Sequence, residues 1–356
     1  MREMPADDAS SELREYYRHF AQVEAAPVSP LYQDWAEGVA ADAELLEKLL
    51  QLPAPKRQAN LLFAAAGIAQ VPLLPWAQVR QAVLQQWDQI RHLMLTRRTQ
   101  TNEAGRLAVL NLPFARIAEQ TRQPLALLEV GSSAGLCLYP DAWPIHYRFT
   151  DTAADANGEP ADLETGKSTA HDSARLTPRG VLNSAVELTS ELTGIQAPEK
   201  LPEVAWRGGI DLNPLDLRNP EDLDWLKALV WPGMEYRLKR LEAGAQLVSE
   251  QPPRIFTGDL NELLPQALAE VPEDAVPVVF HSAVLVYLST EERAHFVEQV
   301  QASGVRWVSN EGLGVFPQIA AKLPREDPDQ SGFILALDGE PLARTGPHGQ
   351  YAKSLE

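Results

Sequence analysis

The stretch that most restricts the fold is Leu125–Val130, which runs directly into Gly131-Ser132-Ser133-Ala134-Gly135. A short apolar run without alternation reads as a strand buried on both faces, the kind found inside parallel sheets. The two glycines then allow a tight turn, because glycine adopts backbone angles that other residues resist. A buried parallel strand needs neighbours and crossovers, and the downstream sequence offers both. Short apolar runs recur at residues 204–212, 254–257, 276–281 and 305–310, with helical patterns between them at 221–229, 236–249, 260–270 and 290–303. This alternation predicts βα crossovers and a mostly parallel α/β sheet with helices on both faces. Residues 333–337 and 341–345, joined by Asp338-Gly339-Glu340, predict a terminal hairpin.

Upstream, the pattern is helical. Leu13, Tyr16, Tyr17, Phe20 and Val23 share one face of a helix expected over 12–24, and further helices are expected over 31–52 and 79–94. No strand-like alternation precedes residue 124. The expected organisation is an N-terminal helical cap region, 1–124, and a sheet domain, 125–351. Residues 152–200, rich in Ala, Thr, Ser, Glu and Pro, read as an insertion with one helix around 181–192.

Charge and cysteine content narrow the function classes. Acidic residues number 49 against 31 basic ones, giving a net charge of −18. Nucleic-acid binding draws on surplus Lys and Arg, so no nucleic-acid partner is expected. The longest plain apolar stretch, 61–69, is followed by Gln70, Pro72 and Pro75 and is too short to span a bilayer. The one cysteine, Cys137, allows no internal disulfide and no multi-cysteine zinc site, and the 7 histidines form no metal-binding motif. Without an apolar leader, the chain is expected in the cytoplasm, acting on a small molecule and holding no metal. Oligomeric state is left open.

The glycine turn has two chemical readings. In the first, Glu129 near the strand end and the turn Gly131, Ser133, Gly135 form a cofactor loop, where glycine lets the backbone approach a ligand. This resembles the first motif of S-adenosylmethionine-dependent methyltransferases, although Ser133 stands where many of them have glycine. In the second, Gly131-Ser132-Ser133-Ala134-Gly135 matches G-x-S-x-G, the nucleophile elbow of serine hydrolases. Ser133 would then be the nucleophile, with His348 as base and Asp338 as third member. The absence of strand patterns before residue 124 and of an HGGG-like segment weighs against an acyl hydrolase.

Later strand ends add candidates, because ligands of such sheets bind at the carboxyl ends of strands. Asp211, in Ile210-Asp211-Leu212-Asn213-Pro214, is the favoured candidate for a ribose acid, with Asp151 as its competitor and a cap of the turn near Pro214 as the structural alternative. Asp259 reads equally as an adenine acceptor or a helix N-cap. His281 is a candidate general base, Tyr287 a candidate substrate contact, and Glu311 lies at a similar strand end. The polar block 96–106 offers Arg97, Gln100, Asn102, Glu103 and Arg106 for a substrate carboxylate or phosphate.

Several segments together, TQTNEAGR, PLALLEVGSSAGLCL, RGGIDLNPLDL, VVFHSAVLVYLS and PHGQY among them, resemble a bacterial family, the domain of unknown function DUF2332. The resemblance covers residues 14 to 351 and implies a Rossmann-like methyltransferase fold without an assigned reaction. The expected function is a class I-like methyltransferase. In it, Glu129, Gly131, Ser133 and Gly135 hold the methionine end of S-adenosylmethionine, Asp211 the ribose and Asp259 the adenine. The alternative is a non-catalytic nucleotide-binding or regulatory protein on the same fold.

Overall fold

The computed structural model describes residues 6–100, 102–150, 172–324 and 332–355. Six helices come first: α1 (Ala6–His19), α2 (Pro30–Ala41), α3 (Ala43–Leu50), α4 (Ala59–Ile68), α5 (Trp76–Gln85) and α6 (Trp87–Thr96). The elements that follow are α7 (Leu107–Thr121), β1 (Leu125–Val130), β2 (Ile145–Thr150), β3 (Asp172–Leu176), β4 (Leu188–Thr193) and β5 (Val204–Asp211). Next come α8 (Pro220–Ala228), α9 (Glu235–Glu250), β6 (Arg254–Thr257), α10 (Leu260–Ala269), β7 (Val276–Ser282), α11 (Thr290–Ser303) and β8 (Arg306–Gly312). The described chain ends with α12 (Pro317–Ala320), β9 (Phe333–Leu337), β10 (Glu340–Thr345) and β11 (Tyr351–Ser354).

The chain divides into two compact units, Met1–Thr101 with Arg218–Lys239, and Asn102–Leu217 with Arg240–Glu356. The first is helical. The helix expected over 12–24 is α1 followed by a π-helical turn, Phe20–Ala25. The pattern over 31–52 is two helices, because Asp42 takes an extended backbone (φ −94°, ψ 99°) and its carboxylate caps α3 by accepting the Leu45 N–H. Residues 79–94 likewise split at Gln86. The apolar stretch after residue 60 forms α4, buried on most sides as an all-round hydrophobic helix must be. Around it Phe20, Tyr32, Trp35, Phe63 and Trp231 pack ring against ring, the nearest pair being Tyr32 and Phe63 at 4.8 Å.

The second unit carries a large mixed sheet in the order β3-β2-β4-β11-β10-β9-β8-β7-β1-β5-β6. Its core strands β6, β5, β1, β7 and β8 are all parallel. Numbered in chain order they run 3-2-1-4-5, a doubly wound arrangement that reverses direction between β1 and β7. Beyond β8 the strands β9, β10 and β11 are successively antiparallel. The expected hairpin is present as β9 and β10, turning through Asp338 (φ 53°) and Gly339 (φ 80°), the left-handed pair that a two-residue hairpin needs.

The helix expected around 181–192 is absent. Residues 188–193 form β4, in which Leu188, Ser190 and Leu192 are buried and the residues between them are less so. That period of two is the strand signature, and β4 joins β2 and β11 in the sheet. Paired glycines in β5 serve packing: a side chain at Gly209 would strike Ser132, and one at Gly208 would strike the Trp206 ring. Leu128, Val130, Val279, Phe296, Trp307 and Phe316 belong to one core cluster on the face that α10 and α11 cover.

Candidate functional site

β1 leaves the sheet through three left-handed residues, Gly131 (φ 71°), Ser133 (φ 50°) and Gly135 (φ 76°). Two glycines take that backbone freely, whereas Ser133 takes it at a cost of about 1 kcal/mol. What holds it there is a set of hydrogen bonds from both sides. The Gly131 N–H donates to Ile210 O (2.8 Å), the Ser133 N–H to Asp211 Oδ2 (2.7 Å), and the Asn213 N–H to Asp211 Oδ1 (2.7 Å). From the other side the Asn102 amide donates to Ser132 O (2.8 Å) and accepts the Leu136 N–H (3.0 Å). Asp211 and Asn102 therefore clamp the turn between them.

Inside this clamp lies an unsatisfied cluster. Glu129 Oε2, Ser132 Oγ and Ser133 Oγ are buried and have no hydrogen-bond partner among the described residues. Glu129 is only 5 % exposed. Burial pushes its carboxyl well above the usual carboxylate range; the positive charge of Arg106 opposes that shift and Asp211 adds to it. Buried polar atoms are nearly always paired, so three orphans between residues 129 and 133 call for an explanation. Arg106, 7 % exposed, donates Nε–H to Pro347 O (3.0 Å) and Nη1–H to Ser282 O (3.0 Å). Beside it Glu103 accepts the Gly105 N–H (2.9 Å) and pairs with Arg240 at 3.4 Å. A side chain at Gly349 would strike the Gly105 backbone, so the two glycines let distant segments meet. Four separated segments, NEAGR, EVGSSAG, HSAV and PHGQ, thus converge on the carboxyl end of β1.

Other expected residues lie elsewhere or are differently employed. Arg97 belongs to the helical unit, where it pairs with Asp222 (2.6 Å) and Glu221 (3.7 Å), and Gln100 belongs to the same unit. Asp259 is the N-cap of α10, accepting the Asn261 N–H at 2.8 Å. His281 is 0 % exposed among the rings of Phe296, Trp307 and Phe316. Its Nε2 accepts the Trp307 indole N–H (3.0 Å), which leaves the proton on Nδ1 to donate to Glu311 Oε1 (2.7 Å). The same oxygen accepts the Val284 and Leu285 N–H groups, so Glu311 fixes the backbone after β7. Tyr287, at the tip of that loop, is 85 % exposed. Asp151 lies outside the described residues.

The hydrolase constellation is not brought together. Ser133 Oγ meets no base, and Asp338 instead accepts the Trp307 N–H (2.8 Å) and pairs with Arg306 (2.8 Å). Reasoning from sequence missed Ser132, Arg240 and the chain Thr345–Asn310–Ser282, in which Thr345 donates to Asn310 Oδ1 (2.6 Å) and Asn310 donates to Ser282 Oγ (3.0 Å). Asn310 and Ser282 sit at strand ends, which was the available signal. Among the described residues no cluster of His, Cys, Asp and Glu could hold a metal ion, and no helix is long and apolar enough to cross a membrane.

The fold and site define a mixed α/β protein with a polar cluster at the switch point of a mostly parallel sheet. The family described as uncharacterized protein conserved in bacteria (DUF2332) matches residues 14–353, and the chain belongs to that family. No curated protein matches it.

Proposed function

We propose that this chain is a Rossmann-like methyltransferase of the bacterial cytoplasm that uses S-adenosylmethionine to methylate a small polar molecule. The observation that carries the reading is the group of orphaned polar atoms, Glu129 Oε2, Ser132 Oγ and Ser133 Oγ, at the carboxyl end of the central strand. They lie beside the point where the strand order reverses, which is where sheets of this kind bind their ligands. The residues fit the cofactor's polar groups: Glu129 and the glycine turn face its methionine end. Asp211 accepts one N–H from the described residues on each oxygen, and a carboxylate has about four acceptor positions, so it retains capacity for ribose hydroxyls. Asp259 would meet the adenine while still capping α10.

When bound, the cofactor supplies an electrophilic methyl group on a sulfonium. The protein's part is to align and to exclude water, and alignment alone removes much of the barrier to such a transfer. Asn102 and Asp211 hold the turn in place before any ligand arrives. Glu311, by holding Val284 and Leu285, sets the loop on which Tyr287 stands ready to touch substrate. His281, with both nitrogens engaged, is a positioning residue for Glu311 in this scheme and not the base.

One observation favours the non-catalytic alternative. Asp211 already accepts the backbone of the turn on both oxygens, as a purely structural acid would. Isothermal titration with S-adenosylmethionine and S-adenosylhomocysteine, repeated on Asp211→Ala, tests the cofactor site that the methyltransferase requires. Micromolar binding that is lost in the variant supports the methyltransferase. Absence of binding to either ligand sinks it.

A further inference from the structure

β7 runs past the end of β1: Phe280 pairs with Glu129, and β7 continues through Ser282. The residues that follow therefore pass beside the glycine turn. Val284 makes the contact, since a side chain at Gly131 would strike both of its γ carbons. Gly131 thus needs to be glycine twice over, for its left-handed backbone (φ 71°) and for the valine that lies against it. Val284 is itself held. Its N–H donates to Glu311 Oε1 (3.0 Å), the Leu285 N–H to the same oxygen (3.1 Å), and the Ala283 N–H to Asn310 O (3.1 Å). Glu311 Oε1 also takes the His281 Nδ1–H (2.7 Å), and the Trp307 indole fixes that tautomer through Nε2 (3.0 Å). We propose that Val284 is a positioning residue, through which the buried Trp307–His281–Glu311 chain sets the shape of the glycine turn.

The turn is supported unevenly without it. Asp211 holds the Ser133 N–H, and Asn102 holds Ser132 O and the Leu136 N–H, so the side chains that clamp the turn act from Ser132 onward. Gly131 has its N–H on Ile210 O, a bond toward β5. On the β7 side its support is the packing of Val284. A side chain cannot resist displacement unless its own backbone is fixed, and three donors on one buried carboxylate oxygen fix it. His281 and Glu311, which have no part as acid or base, thereby gain a role: they act on the turn from the strands beyond β1. The contact with the turn stands without the cofactor reading; its effect on ligand affinity rests on that reading.

A cycle of single and double substitutions, read by urea unfolding without ligand, tests the contact. Gly131→Ala should raise the unfolding equilibrium constant at least about thirtyfold, through backbone strain and overpacking. Val284→Ala should raise it about tenfold. The double variant should fall short of the product of the two by about tenfold or more, because removing the valine makes room for the new methyl. Should Gly131→Ala alone fail to fold, a double variant that folds is the rescue. Single effects that multiply within about twofold overturn the contact. S-adenosylhomocysteine titrated into the whole chain tests the reach of the network. Val284→Ala and Trp307→Phe should each weaken it by about three- to tenfold. Val300→Ala, in the same core cluster on α11, should leave it within about twofold and so controls for lost stability. Unchanged affinity in Trp307→Phe overturns the part of His281 and Glu311 in shaping the turn. If the wild type does not bind S-adenosylhomocysteine, the cofactor reading falls, and the cycle alone decides whether Val284 holds the turn.

Discussion

Glu311 and Glu129 are buried carboxyl groups near the carboxyl ends of β8 and β1, and their surroundings are opposite. One oxygen of Glu311 accepts three N–H groups, from His281, Val284 and Leu285, while its Oε2 is buried without a partner among the described residues. Its residue also lines a cavity of ≈ 10 Å³, about the room of one water, with Ser309 and Phe316. Glu129 accepts nothing from the described residues, and burial holds its carboxyl well above the usual range. The first carboxylate is built into the fold. Glu311 fixes a loop through one oxygen, whereas no described residue bonds to Glu129.

The largest effect should come from breaking the network around Glu311 Oε1. Glu311→Ala strips one acceptor from three donors in a closed core, and removing one member of such a set typically costs about 3–5 kcal/mol. Urea unfolding followed by circular dichroism should show that loss, and Trp307→Phe should show about 1–2 kcal/mol for one lost hydrogen bond and some packing. A cost below about 1 kcal/mol for Glu311→Ala would end the contrast between the two acids.

Glu129→Gln should behave in the opposite way. A carboxyl whose folded-state pKa is raised contributes stability below its unfolded pKa, and that contribution is lost as pH rises through the folded value. The wild type should therefore lose thermal stability relative to Glu129→Gln as pH climbs from about 5 to about 8. Ligand binding should reverse the sign, because an ammonium pairs with the ionised form: wild-type affinity for S-adenosylhomocysteine should rise over the same range, and the variant's should not. Melting curves and titrations across that range check both halves.

The difference between the two acids was only half legible in the sequence. The strand Leu125–Val130 and its glycine turn stood out because a both-faces-buried run and two turn glycines are local patterns. Glu129 could be named for the same reason. The state of His281 could not, since Trp307 and Glu311, which fix its two nitrogens, come from the next strand of the sheet. The polar block of residues 96–106 read as one pocket wall, yet Arg97 is bound to Asp222 of the helical unit while Asn102 clamps the glycine turn. Nothing in an eleven-residue polar run tells where a unit boundary falls. The helix expected around 181–192 is replaced by a strand over 188–193, whose alternation counts only once β2 and β11 are beside it.

Ser133→Gly sharpens the picture at the turn itself. It replaces a left-handed serine by the residue suited to that backbone and should stabilise the fold by up to about 1 kcal/mol, partly offset by glycine's greater freedom when unfolded. Affinity for S-adenosylhomocysteine should stay within about threefold, since one orphaned hydroxyl is lost while Glu129 remains. Chemical denaturation and calorimetry on the same preparation read both. A protein that cleaves a chromogenic ester, and ceases to do so with this substitution, would restore the nucleophile reading.

The smallest effect on stability belongs to Tyr287. The loop that carries it has a fixed base and a free tip: Val284 and Leu285 are tied to Glu311, while Val286 is 56 % and Tyr287 85 % exposed. An exposed side chain without a partner in the fold contributes little, so Tyr287→Ala should alter stability by no more than about 0.5 kcal/mol. Affinity for S-adenosylhomocysteine should likewise hold within about twofold if Tyr287 meets the substrate and not the cofactor. A large loss of cofactor affinity would move the tip of this loop into the nucleotide's binding surface. A clear drop in melting temperature would instead mean that the tip packs against the protein, and that the division between pinned base and free tip is wrong.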